Sequence, residues 1–338
     1  MAEPVRAWPA PERPDLEALI ARDAPVILRG YAQDWPLVRA GRESACRAAE
    51  YLLRFDAGRP VTGYVGDPGI KGRFHYDASG TALNFQAHTF DLRDVLERLL
   101  GLEGQVSAPS LYIGSTDLDT YLPGFRAEND LRPDRDLFDR HPPLASIWIG
   151  NRTIASAHYD MANNAAICAV GRRRFTLFPP DQVANLYPGP LSPTPGGQVV
   201  SMVDFAAPDH DRYPRFAEAM KTAQVAELEP GDLLVYPALW WHHVEALEGF
   251  NILVNYWWNA VPDFMDSPMD TVLHALLSLR DRPEAERRGW RALFDHYVFG
   301  DAQMAAAHLP QAARGPLAPL DEPGARRLRA YLLHRLNR

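Results

Sequence analysis

His158-Tyr159-Asp160 sets an imidazole and a carboxylate two residues apart. In a strand, residues at that spacing project from one face, so the pair offers two ligands to one ion from a rigid edge. Two ligands hold a metal loosely, and a third has to come from a distant part of the chain. The candidates are His242 and His243, in PALWWHHVEAL. Two imidazoles and one carboxylate leave about half the positions of an octahedral ion open, the arrangement of non-haem Fe(II) sites in which a cosubstrate and dioxygen bind together. A lone histidine among the eleven proves little, and H-x-D recurs by chance. The pair gains weight only with the distal histidine in a β-rich segment.

The elements that must position these residues are readable in the apolar pattern. Between Leu144 and Ala260, ASIWIG, AAICAV, RFTLF, DLLVY, HHVEAL and NILVNYWW are short apolar runs separated by turn signals, the spacing of antiparallel strands in a sandwich or barrel. EPGDLLVYPALWWHHV reads as a tight Pro-Gly turn, a buried strand, a Pro break and two aromatics, with Trp240 and Trp241 expected to shield the site from water. The Pro/Gly/Asp-rich insert from Asp181 to Tyr213 fits a loop over the barrel mouth. Cys168, in an apolar strand, reads as packing. Upstream, DLEALIARD and SACRAAEYLLRF predict helices around a buried strand PVILRG. VTGYVG and SLYIGS predict strands around the helix TFDLRDVLERLL, with Thr89 or Asp91 as its cap. Asp117 to Pro143 is rich in Asp, Arg and Pro without periodicity and is expected to be a surface loop. After Pro262 the pattern turns helical. That tail is expected to cap one barrel end or to pair two copies through Leu273, Leu276, Leu277, Leu332, Leu333 and Leu336. The expected organisation is therefore a domain over 1–260 with its core at 144–260, and a helical region over 261–338.

Composition narrows the function classes. A chain of 338 residues, 46% hydrophobic and 10% aromatic, has ample material for a core, which excludes a disordered chain. Its 35 Lys and Arg against 43 Asp and Glu give a net charge of −8, so no whole-chain field draws it to nucleic acid or an anionic bilayer. Two cysteines, Cys46 and Cys168, are too few for a disulfide framework or a tetrathiolate zinc site. The opening MAEPVRAWPAPERPDLE lacks the basic and apolar regions of a secretory signal, and no run of about twenty apolar residues follows, so the expectation is a cytoplasmic protein. GxSxG, GxxxxGK[ST] and GxGxxG are all missing, which lowers hydrolase, nucleotide-binding and dehydrogenase readings.

The run ASIWIGNRTIASAHYDMANNAAICAVGRRRFTLFPP, followed by PGDLLVYPALWWHHVEAL and FNILVNYWW, resembles the cupin-like branch of the JmjC oxygenases, whose best-known relatives are asparaginyl hydroxylases acting on hypoxia-inducible factor. The likeness covers about a hundred residues, Leu144 to Trp258, with three motifs in order. It implies a mainly β fold, a double-stranded β-helix (jelly roll) with N-terminal α/β elements and a helical C-terminal dimerisation region. It also implies Fe(II) held by His158, Asp160 and His242, the last because the family's ligand is the first His after the paired Trp. His243 is then a supporting residue. The implied cosubstrate is 2-oxoglutarate. Its far carboxylate would meet Arg173, which stands where the family usually has Lys, in Arg172-Arg173-Arg174. Strand alternation would turn Arg173 inward and its neighbours outward, and a guanidinium grips a carboxylate at two points. The bland alternative is that all three arginines are a solvated run.

By the same resemblance Tyr112 would bond that carboxylate, and Asn164 and Asn255 would lie near the cosubstrate and the iron-bound carboxylate. Ala155 replaces the family's frequent Thr, with Ser156 adjacent, and Trp257 is expected to be barrel wall. The implied activity is hydroxylation of an unactivated C–H, on a protein or peptide side chain or a small molecule, with release of succinate and CO2. Rival readings are a metal-dependent cupin isomerase or dioxygenase without 2-oxoglutarate, a non-catalytic binding protein, and a methyl-lysine demethylase. The acidic stretches 117–139 and 204–211 are either a groove for a basic peptide or solvated loops.

Overall fold

The computed structural model describes residues 2–337, and the chain divides into two compact units between Asn259 and Ala260. The first opens with β1 (Glu3–Pro4), β2 (Arg6–Pro9), α1 (Leu16–Ile20), β3 (Val26–Arg29), α2 (Pro36–Glu43) and α3 (Ala45–Leu53). β4 (Val61–Gly66), β5 (Arg73–Phe74), β6 (Phe85–Phe90), α4 (Leu92–Gly101) and β7 (Ser110–Asp117) follow, then α5 (Leu118–Tyr121), α6 (Phe125–Glu128) and α7 (Leu137–Arg140). β8 (Leu144–Gly150), β9 (Ile154–His158), β10 (Asn163–Val170), β11 (Arg173–Phe178), α8 (Phe216–Thr222), β12 (Gln224–Leu228), β13 (Leu233–Tyr236), β14 (Trp241–Ala246) and β15 (Asn251–Trp258) complete the unit.

These strands form a six-stranded sheet in the order β1-β12-β11-β14-β9-β5 and a nine-stranded sheet in the order β2-β3-β13-β10-β15-β8-β7-β4-β6. The mainly β architecture expected from the sequence is observed, and pairing among β8 to β15 is antiparallel. Among the described residues, parallel pairs occur only where short strands join an edge: β1 on β12, β2 on β3 and β5 on β9. The chain passes from one sheet to the other at Gly171. Its φ of +72° suits glycine, and a Cβ there would come within 2.3 Å of the Asn251 Oδ1.

Strand alternation divides the core. In β10, Ala165, Ile167 and Ala169 join Val235, Ile252, Val254 and Tyr256 on the sheet face covered by α1 to α4. Ala166 and Cys168 point the other way and meet Leu234, Tyr236 and Leu253, together with Phe175, Leu177 and Val244 of the facing sheet. Burial pushes the Cys168 thiol up to about 12, in keeping with a packing role. The outer face of the six-stranded sheet is covered by Phe216 and Ala219 of α8 and by Leu186 and Val203 of the insert.

Residues 117–143 differ from the expected surface loop. Leu118, Leu122, Phe125, Leu131 and Leu137 are all buried in the large core, each worth about 1.5–3 kcal/mol of apolar transfer. Asn129 ties this stretch to the preceding helices. Its Oδ1 accepts from Leu37 N at 3.0 Å, and its Nδ2 donates to the Tyr51 hydroxyl at 2.7 Å. Four-residue helices are too short to show a period, so the Asp and Pro residues at their ends dominated the pattern.

The second unit contains α9 (Pro268–Ser278), α10 (Glu284–Phe294), α11 (Ala302–Ala306) and α12 (Glu322–Leu336). Asp301 and Asp321 cap α11 and α12, and Arg329 of α12 pairs with Asp266 at 2.6 Å. Leu273, Leu277, Leu332, Leu333 and Leu336 are exposed. Among the described residues no helix is long and apolar enough to cross a membrane.

Candidate active site

His158, the last residue of β9, pairs across the ladder with His242 of β14, and their rings lie 4.2 Å apart. Asp160 sits two residues beyond β9, with its Oδ2 3.5 Å from the His242 Nε2. One ligand atom from each of the three falls within 4.8 Å of the others, the one such group of His, Cys, Asp or Glu among the described residues. Both imidazoles are oriented by backbone: Nδ1 of His158 is 2.8 Å from the Ser156 carbonyl, and Nδ1 of His242 is 3.0 Å from the Trp240 carbonyl. With Nδ1–H donating to those carbonyls, each Nε2 keeps its lone pair for an ion. Burial, then the neighbouring His158, pushes His242 down to about 4, so it is neutral at pH 7, the form that ligates.

Asp160 is held by side chains rather than by the pleat. Its Oδ2 accepts from Trp257 Nε1 at 3.0 Å and from Asn164 Nδ2 at 3.2 Å. Its carbonyl accepts from Leu239 N at 2.8 Å, and Leu239 takes a φ of +67°, a strained position for a branched side chain beside the site. Two oriented imidazoles and a hydrogen-bonded carboxylate suit a divalent cation.

The three side chains open into a cavity of about 500 Å3. Arg173 of β11 also lines it, 2% exposed. Its Nε and Nη2 have no hydrogen-bond partner, although both are buried. Its neighbours turn outward as alternation requires: Arg172 pairs with Glu248 at 2.7 Å and Arg174 with Glu227 at 2.8 Å. A buried guanidinium without a carboxylate is costly, so the place calls for an anion. Tyr112 lines the same cavity, and burial pushes its phenol up to about 12, which keeps the hydroxyl a donor.

Residues 11–264 match the family model described as a cupin-like domain. The chain belongs to the cupin-like, JmjC-type domain family. It is 24% identical over 277 residues to HSPB1-associated protein 1 of Rattus norvegicus, covering 77% of this chain and 54% of that protein. It is 25% identical over 238 residues to lysine-specific demethylase 8 of Xenopus tropicalis, covering 70% and 48%. With tRNA wybutosine-synthesizing protein 5 of Mus musculus the identity is 37% over 114 residues, 34% of this chain and 33% of that one. The chain thus spans about half the length of the first two relatives.

In this cupin-like domain Tyr112, His158, Asp160, Asn164, Arg173, His242 and Asn255 all line the one cavity. Asn255 accepts from Trp148 Nε1 at 2.7 Å, and Asn164 leaves its Oδ1 unpartnered. His243 points to the opposite sheet face and stacks on Phe205 with ring centroids 4.2 Å apart. Burial, then Arg73, pushes its imidazole down to about 3.

One expectation is corrected. Trp241 lies on the outer face against Tyr159, and Trp240 is packed into the inter-sheet core, so neither walls the cavity. Trp257 is more than wall, since it bonds Asp160. That it shares a face with Asn255 in NILVNYWW was a usable signal. Ser156 faces the cavity but receives Arg73 Nε at 3.3 Å. Several carboxylates of the acidic stretches are met locally. Asp117 caps α5, Asp119 and Asp130 both bind Arg126, Asp136 pairs with Arg140, and Asp209 accepts from the backbone of Asp211 and Arg212. Sequence reasoning missed Tyr64, Phe74 and Phe85, which line the cavity from β4, β5 and β6.

Proposed function

We propose that the protein is an Fe(II)- and 2-oxoglutarate-dependent oxygenase that hydroxylates an unactivated C–H. The observation that supports this best is the presence, in one cavity, of the His158, Asp160 and His242 donors and of the buried Arg173 guanidinium, whose Nε and Nη2 lack partners. His158, Asp160 and His242 would hold the metal, and Arg173 with Tyr112 would hold the far carboxylate of the dicarboxylic acid. Bound there, iron and 2-oxoglutarate supply oxidation of a C–H by dioxygen, giving alcohol, succinate and CO2. The chain's own residues bind, orient and exclude water. Trp257 and Asn164 fix the Asp160 carboxylate, backbone carbonyls fix both imidazoles, and Trp148 fixes the Asn255 amide. No side-chain general base is needed.

A cupin isomerase, or a dioxygenase working without the cosubstrate, has no use for a buried cation in the same cavity as the metal donors. The test is thermal stability under argon. Mn(II) with 2-oxoglutarate should raise Tm above Mn(II) alone, and Arg173→Ala should remove that increment, about 2.7 kcal/mol at a hundredfold excess over Kd, while retaining the metal effect. An unchanged increment in the variant would defeat the proposal. We further propose a cytoplasmic setting and a protein, peptide or small-molecule substrate. The Ala260–Arg338 helices would form a separate region that self-associates through their exposed leucines, and sedimentation of the full chain checks this.

A further inference from the structure

We infer that the part of the substrate entering this cavity is an uncharged apolar group, an aliphatic or aromatic side chain. This inference rests on the oxygenase reading. The wall leading to the metal donors is a run of rings: Tyr64 to Phe85 at 5.4 Å between centroids, Phe85 to Phe74 at 5.2 Å, Phe74 to Tyr112 at 5.7 Å, Tyr112 to Trp148 at 5.8 Å and Trp148 to Trp257 at 5.7 Å. Gly114 permits this, since a Cβ there would lie 3.1 Å from the Tyr64 ring and 3.4 Å from Trp148.

The charged side chains lining the cavity, among the described residues, are Asp160 and Arg173, both already assigned. The other polar groups toward the ring wall are uncharged, the hydroxyls of Thr62, Tyr64, Ser115, Thr116 and Tyr121 and the amide of Gln198. Arg73, behind Ser156, is tied to the Val203 carbonyl at 3.1 Å and is not part of the lining. A divalent ion, the Asp160 carboxylate, the Arg173 guanidinium and a dicarboxylate sum to zero charge, so an incoming ammonium, carboxylate or phosphate would meet no counter-charge, and burying it would be costly. Aromatic faces attract cations. Here, however, Tyr112 is flanked by Phe74 and Trp148 at interplanar angles of 32° and 26°, and Tyr64 with Phe85, Phe74 with Phe85 and Trp148 with Trp257 meet edge to face at 81°, 73° and 90°, so these rings are engaged with one another.

The test uses the full chain with Mn(II) and 2-oxoglutarate under argon. The probes are the N-acetyl methylamides of leucine, phenylalanine, lysine, trimethyl-lysine, aspartate and phosphoserine, with binding read by isothermal titration calorimetry. The leucine or phenylalanine probe should bind at least tenfold more tightly than any charged one, and Trp148→Ala or, at another point of the wall, Phe85→Ser should weaken it at least fivefold. A charged probe binding as tightly, or no saturable binding by either apolar probe, overturns the inference. Tm with and without 2-oxoglutarate is read on the same samples. Loss of the cosubstrate effect with the apolar preference intact would remove the oxygenase reading and leave this one standing.

Discussion

The two sides of the cavity are built by different means. On one side each side chain is fixed individually: His158 and His242 by single carbonyls, Asp160 by Trp257 and Asn164, and Arg173 by its place in an alternating strand. On the other side the rings from β4 to β8 hold one another by packing, with few hydrogen bonds. Polar placement is specific to a residue and fails all at once, whereas packed aromatic walls lose function by degrees.

Substitutions should expose that contrast. Asp160→Ala removes a ligand and leaves two imidazoles, so metal retained after dialysis should fall from near-stoichiometric to background by elemental analysis, with activity lost. Trp257→Phe keeps the ring but deletes the 3.0 Å bond to Asp160. Metal affinity should fall roughly 10- to 100-fold in a chelator titration, as for other residues that orient ligands. Gly114→Ala crowds Tyr64 and Trp148, and chemical denaturation should show a loss of about 1 kcal/mol with metal affinity unchanged. The smallest effect is expected from His243→Phe. This residue is adjacent to a ligand yet faces away from it, and its buried Nδ1 is unpartnered, so metal binding should hold and stability should change by less than about 1 kcal/mol. If His243→Phe stripped the metal while His242→Phe did not, the two faces of β14 would be wrongly assigned.

How much of this was legible depended on whether period or partnership decided the outcome. The run Arg172-Arg173-Arg174 could be sorted because alternation sets Arg173 on the face opposite its two neighbours, whereas His242 was chosen over His243 only through the family resemblance, since alternation does not say which of two neighbours faces inward. Asp160 was found by its spacing from His158, although β9 ends before it and what aims it is Trp257 from the other sheet. The single-turn helices of residues 118–140 and the ring wall were illegible for a related reason. Each short segment is unremarkable alone, and only tertiary contact gives Leu118, Phe125, Phe74 or Phe85 its role.

The ladder that seats His242 opposite His158 joins β9 to a strand laid down much later in the chain, with the insert between them. Non-local pairings of this kind form slowly. A nascent or partly unfolded polypeptide therefore has no preassembled claw for an ion, and loading with metal would report that maturation is complete.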